Sequence, residues 1–230
     1  MYKWILTACW LYFPVSTAAS VITLQDKHGK PLPNAIISGG YSSQSTPPQS
    51  EQTVHPVREM QQKHRQFFPH TLAIAAGEAV SFPNNDNTRH HVYSFSSAKV
   101  FNLKLYDNQF VPSVTFDTPG VVTLGCNIHD QMKGFIYVSK GDDFWVSDEQ
   151  GKVSLPDDVR RFTVWHLALS ADHNSKVNFN YTAHAAPLPS ILILDTVLVV
   201  PAKPGQRFGQ RTFGQQPRGG STKGLRPLVQ

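Results

Sequence analysis

Cys126, His129 and Met132 follow one another at three-residue intervals in Gly120-Val-Val-Thr-Leu-Gly-Cys-Asn-Ile-His-Asp-Gln-Met-Lys-Gly134. Upstream, Ser81-Phe-Pro-Asn-Asn-Asp-Asn-Thr-Arg-His-His-Val-Tyr-Ser-Phe95 carries the neighbours His90 and His91 at the head of an apolar, aromatic run. One thiolate, two imidazoles and one thioether form the donor set of a blue-copper centre, a trigonal His2Cys plane with a weak axial Met. Thiolate and thioether suit Cu(I) and imidazole accommodates Cu(II), so a rigid compromise site changes little as one electron comes and goes. Zinc held by the same Cys and His residues is the rival metal. Strand alternation sends adjacent side chains to opposite faces, so one of the two histidines reaches the metal. Residue chemistry and alternation alone leave His90 and His91 both open as the upstream ligand.

The segments that must position these residues read as short strands. Val21–Gln25 and Asn34–Ser38 flank an Asp26-Lys-His-Gly29 turn, and residues 39–53 are a Gly, Ser, Gln and Pro loop. Glu51–Gln66 is polar with weak periodicity and is expected to hold a short helix. From Thr71 the strand signals recur: 71–75, 78–82, 90–95, 101–106, 111–116, 120–125 and 134–138, with turns at Gly77, Pro83–Asp86, Asp107-Asn108 and Pro119-Gly120. Such spacing predicts an all-β Greek-key sandwich. Beyond Val138, Phe144–Ser147 and Arg161–Leu167 continue as strands, and Ile191–Val200 is a terminal one. Asp148-Glu-Gln-Gly-Lys152 repeats the turn chemistry of Asp26-Lys-His-Gly-Lys30.

Compartment and charge narrow the function further. Lys3, an apolar stretch from Trp4 to Val15 and Ser-Thr-Ala-Ala-Ser20 have the three regions of a secretory signal peptide, with cleavage expected after Ala19 or Ser20. Cys9 leaves with it, so Cys126 is the one mature cysteine and no internal disulfide is expected. The formal charge is +5, but Lys203, Arg207, Arg211, Arg218, Lys223 and Arg226 place +6 in residues 201–230, leaving −1 for everything before them. That near-neutral body excludes a basic nucleic-acid-binding domain. The Gly/Pro/Gln/Arg-rich tail is expected to be disordered.

At Cys-x-x-His-x-x-Met and His90-His-Val the chain resembles the cupredoxin family, in its plastocyanin and amicyanin branch. The two-residue gap from His129 to Met132 is amicyanin-like, and His91 stands where the family has asparagine. Phe82-Pro-Asn, His90-His-Val-Tyr-Ser-Phe, Leu124-Gly-Cys-Asn-Ile-His-Asp and Val164-Trp-His look most like periplasmic proteins labelled methylamine utilization proteins. The resemblance spans about residues 21–170. It implies a cupredoxin Greek-key β-sandwich with one type 1 copper on His90, Cys126, His129 and axial Met132. It also implies that His129 reaches the surface as the electron port.

The expected organisation is a signal peptide at 1–20, the first part of a β-sandwich at 21–45, the cupredoxin domain at 54–140, the remainder of the sandwich at 141–200, and the basic tail at 201–230. The outer segments resemble a carboxypeptidase-regulatory-like sandwich into which the cupredoxin domain is inserted. The expected function is that of a periplasmic, monomeric carrier of single electrons, not an enzyme, serving an extracytoplasmic redox protein. No nucleic-acid partner is expected; the tail is expected to contact a membrane surface or an acidic partner. Two rival readings are a copper storage or delivery protein, and a recognition module with a vestigial copper site.

Overall fold

Alternation of apolar and polar residues puts just over half of the described residues in strands and almost none in helix. The computed structural model describes residues 19–40, 57–140, 143–182 and 187–197. Most of the expected leader, the basic tail, His55 and His184 lie outside these. In chain order the strands are β1 (Ala19–Asp26), β2 (Ile36–Gly40), β3 (Arg58–Glu59), β4 (Gln61–Lys63), β5 (Gln66–Phe68), β6 (Thr71–Ala75), β7 (Ala79–Ser81), β8 (His90–Ser96), β9 (Lys99–Tyr106), β10 (Ser113–Thr115), β11 (Gly120–Cys126) and β12 (Lys133–Ser139). They continue with β13 (Asp143–Val146), β14 (Lys152–Pro156), β15 (Arg161–Trp165), β16 (Lys176–Asn180) and β17 (Ile191–Leu194), with one 3-10 turn at Leu167–Leu169.

Strands β3 to β12 pair among themselves. A five-stranded sheet runs β6-β12-β11-β8-β9, facing a smaller β10-β7-β3 sheet, with β4-β5 as a hairpin. Val80, Phe82, Val92, Phe116, Val122, Leu124 and Ile136 fill the core between them, and Cys126 and Met132 belong to it. The outer strands also pair with one another: β14-β1-β17 and β13-β2-β15-β16 form two sheets around Ile22, Leu24, Ile37, Leu155, Phe162 and Val164. Among the described residues every ladder stays within its own set. All the sheets are open and pack as sandwiches.

The turns ahead of Lys30 and Lys152 are built alike. Asp26 accepts from the N–H groups of His28 and Lys30, and Asp148 from those of Gln150 and Lys152. Gly151 closes the second turn at φ +72, where a Cβ would lie 2.4 Å from the Leu24 carbonyl oxygen, so the position needs glycine.

The two sets meet along β12. From Gly134 to Ser139 it is buried on both faces, which is why Gly-Phe-Ile-Tyr-Val-Ser reads as a run rather than an alternation. Ile136 and Val138 face the core of strands β3 to β12, whereas Phe135 and Tyr137 join Ile36, Ala73, Val121 and Trp165 in a seam against the outer strands. The Ser38 and Tyr137 hydroxyls are hydrogen-bonded across it at 2.7 Å.

Some expectations need correction. The short helix expected within Glu51–Gln66 is replaced, over its described part, by β3, β4 and the turn into β5. Gln62 is fully buried, donating to the Phe82 carbonyl, so the strand's inward polar residue hid its alternation. The terminal strand stops at Leu194, beside Asp195, which lies 3.5 Å from Lys27. The strand expected at Asn34 begins at Ile36, because Asn34 has φ +60. Strand β1 begins at Ala19, inside the expected leader, and Ser20 Oγ donates to Asp157.

Candidate metal centre

Two neighbouring strands carry the chemistry. Cys126 ends β11 and pairs with Val92 of β8, one step from His90. Period-two alternation turns His90, Val92 and Ser94 inward, and β9 carries one extra residue opposite His90–Val92, a bulge that ends the regular ladder at the site. His129 sits in the turn after β11, and the Met132 N–H closes that turn on the His129 carbonyl at 2.9 Å.

The Cys126 sulfur lies 3.7 Å from His90 Nδ1 and 3.7 Å from His129 Nδ1. Each of the three offers a ligand atom within 4.8 Å of the others. An ion bound at about 2.3 Å from sulfur and about 2.05 Å from nitrogen, at angles between tetrahedral and trigonal, separates those donors by about 3.6–3.8 Å. The three donors therefore fit one metal ion. Among the described residues this is the one group of three or more His, Cys, Asp or Glu side chains so arranged. His90 is fully buried, Cys126 is 4% exposed and His129 is half-exposed.

Met132 is buried in the same apolar cluster as Cys126, directly before β12. His91 points the other way: its Nε2–H donates to Asn102 at 2.5 Å and its ring lies edge-on to Tyr93. It is not part of the group. His166 and His173 lie elsewhere. His166 caps the 3-10 turn, and His173 donates from Nδ1 to the Leu167 carbonyl beside Phe135. Gly125, one residue before Cys126, lies under the Tyr93 ring, where a Cβ would come within 2.8 Å of Cζ.

Two neighbours of the site carried weak or no sequence signal. The sequence marks Asp86 only as the end of the Pro83–Asp86 turn. Its carboxylate instead lies 2.8 Å from His90 Nε2 and accepts the backbone N–H groups of His64 and Arg65. Burial pushes the Asp86 carboxyl up, but the Arg65 N–H, the His90 ring and the His64 N–H outweigh it and hold the group below its ordinary range. His129 is lowered, first by burial and then by the neighbouring His90 ring and Arg65, against the pull of Asp86. The Arg65 N–H on Asp86 places that residue one hydrogen bond behind His90, although nothing in its sequence context marked it.

No family model matches the chain. The chain is 33% identical over 84 residues to chloroplastic plastocyanin from Physcomitrium patens, covering 32% of this chain and 50% of that protein. It thus spans about half the length of the curated relative it matches. Solved structures with partial likeness include a Cu-containing nitrite reductase (NirK) from Thermus scotoductus SA-01, at 26% identity over 37% of this chain and 23% of that one, TM-score 0.35. A purple cupredoxin from Nitrosopumilus maritimus matches at 22% identity over 36% of this chain and 100% of that one, TM-score 0.33. A reduced amicyanin matches at 16% identity over 46% and 99%, TM-score 0.35. Superpositions this limited add nothing to what the strands and side chains already show. The partial identity with plastocyanin, joined to a His–Cys–His group on neighbouring strands of an all-β fold, supports a cupredoxin assignment for this chain.

Proposed function

We propose that the protein is an exported carrier of single electrons that uses one type 1 copper, held by His90, Cys126 and His129 with Met132 in the axial position. The observation that carries this reading is the equal 3.7 Å spacing of one buried thiol sulfur from two imidazole nitrogens. Copper, when bound, supplies the Cu(II)/Cu(I) couple. The chain's part is to keep its donors still. Cys126 and His90 are fixed by paired strands, and the core around Cys126 and Met132 excludes water. His129, half-exposed between Asn127-Ile128 and Asp130, is the side chain through which an electron passes to a docked extracytoplasmic redox partner.

The body is near neutral, so docking is carried by short-range apolar contact at Ile128, which is 48% exposed. The +6 tail adds a salt-sensitive contact with an anionic membrane or an acidic partner. The outer strands act as a host sandwich with the cupredoxin domain inserted between β2 and β13, a reading supported by their pairing with one another. No substrate chemistry is proposed. Voltammetry of the copper-loaded protein, with chelator present, tests the carrier against the delivery reading. A reversible one-electron wave with copper retained over many cycles supports the carrier. Loss of copper on each reduction supports delivery and sinks it.

A further inference from the structure

We propose that Asp86 is a positioning residue that fixes the His90 ring with Nδ1 toward Cys126 and ties it to the Lys63–Gln66 turn. The inference rests on His90 being a metal ligand. An ionised carboxylate only accepts hydrogen bonds, so the 2.8 Å contact requires the proton on His90 Nε2. In the neutral imidazole Nδ1 then keeps its lone pair and faces the Cys126 sulfur at 3.7 Å. The His90 ring is fully buried, so no bulk water can substitute for that acceptor. A carboxylate behind a ligating imidazole holds the tautomer, holds the ring plane and strengthens the nitrogen as a donor.

The same carboxylate has a second duty. Asp86 Oδ1 accepts the His64 N–H at 2.6 Å, and Oδ2 accepts the Arg65 N–H at 2.9 Å as well as the His90 contact. His64 and Arg65 both lie in the left-handed region, at φ +56 and +58, which aims their consecutive N–H groups at one anion. Asp86 itself is held by Asn84, whose Oδ1 accepts the Asp86 N–H while its Nδ2 donates to the Thr88 and Tyr106 carbonyls. A side chain fixed from behind thus joins the first ligand to a turn more than twenty residues away.

Asp86→Asn tests this. The amide has one acceptor oxygen, too few for three donors spread over two oxygens. Cu(II) affinity should fall 10–100-fold, the usual loss when such a partner of a ligating histidine is removed. If Cu(I) affinity is unchanged, the reduction potential rises by about 60–120 mV. Amide exchange at His64 and Arg65 should quicken, while Asn87→Ala, an exposed neighbour, should change neither affinity nor potential. Affinity and potential in Asp86→Asn equal to the parent would overturn the proposal. A separate arm needs no copper: nitrogen-detected NMR of the metal-free parent should show His90 as the Nε2–H tautomer, and an Nδ1–H tautomer overturns the inference even if Asp86→Asn fails to fold. Should the NMR arm succeed while the parent binds no copper, the ligand reading fails and the positioning of the ring by Asp86 stands.

Discussion

Removing the Trp165 indole should uncouple the two halves of this molecule. Trp165 is fully buried in the seam, its ring centroid 6.0 Å from Phe135 and 5.8 Å from Tyr137, and its indole N–H donates to the His173 carbonyl at 2.8 Å. Trp165→Ala leaves a large cavity at the junction and should cost about 3–5 kcal/mol. With a urea slope of about 2 kcal/mol per M, the midpoint falls by about 1.5–2.5 M. Trp165→Phe keeps most of the ring contact and loses mainly the hydrogen bond, so about 1–2 kcal/mol is expected. Two probes separate the halves during urea unfolding. Trp145, packed on the outer core, reports there by fluorescence once Trp165 is gone, and the visible band of the copper-loaded protein reports on the other. In the parent the transitions should coincide; in Trp165→Ala the fluorescence transition should come first and the copper band later. Coincident transitions with a midpoint shifted by less than about 0.5 M would refute the seam as the source of coupling.

Other outcomes follow from the same geometry. His166 is buried, its Nε2–H donating to the Pro33 carbonyl and its Nδ1 accepting from the Ala168 N–H, so protonation destroys an acceptor. Burial lowers its pKa against the opposing pull of Pro33, so the unfolded chain binds the extra proton first. Its stabilising contribution is therefore complete above about pH 6.5 and is lost as pH falls through the folded value; denaturation of His166→Asn between about pH 5 and 7 should show a shallower slope than the parent. His90→Ala should abolish the visible copper spectrum and His91→Ala should leave it, and Met132→Leu should keep copper with an altered potential; the reverse ranking of the two histidines would reassign the ligand. Ile128→Glu should slow electron self-exchange without expelling copper, while truncation after Val200 should leave spectrum and potential intact and weaken salt-sensitive binding to anionic vesicles.

The ligand group was legible because copper chemistry needs few residue types and β-turn spacing brings three of them together within one short segment. Alternation limited the choice to one of His90 and His91, and the cupredoxin resemblance pointed to His90. Most strands of the five-stranded sheet were legible for the same reason, since Val92, Val122 and Leu124 alternate with polar or exposed neighbours. β16 went unread although Val177 and Phe179 alternate there with Tyr181 just beyond, because Lys176, Asn178 and Asn180 imitate a loop; Phe179 and Tyr181 stack on Phe162. The buried Gln62 concealed β4 in the same way. What no local pattern holds is a contact across distance. Asp86 meets His64 and Arg65 only after β4-β5 folds back on the loop ahead of β8, and Trp165 meets Phe135 only once two separate sets of strands are packed.

The most direct test of the central claim is an optical titration of the mature protein with Cu(II), run beside Cys126→Ser. The parent should develop intense thiolate-to-copper absorption at about 600 nm, saturating at one copper per chain, and Cys126→Ser should develop none. A colourless parent that takes up zinc alone, or a Cys126→Ser protein with the same band, would contradict the assignment of His90, Cys126 and His129 as a type 1 copper site.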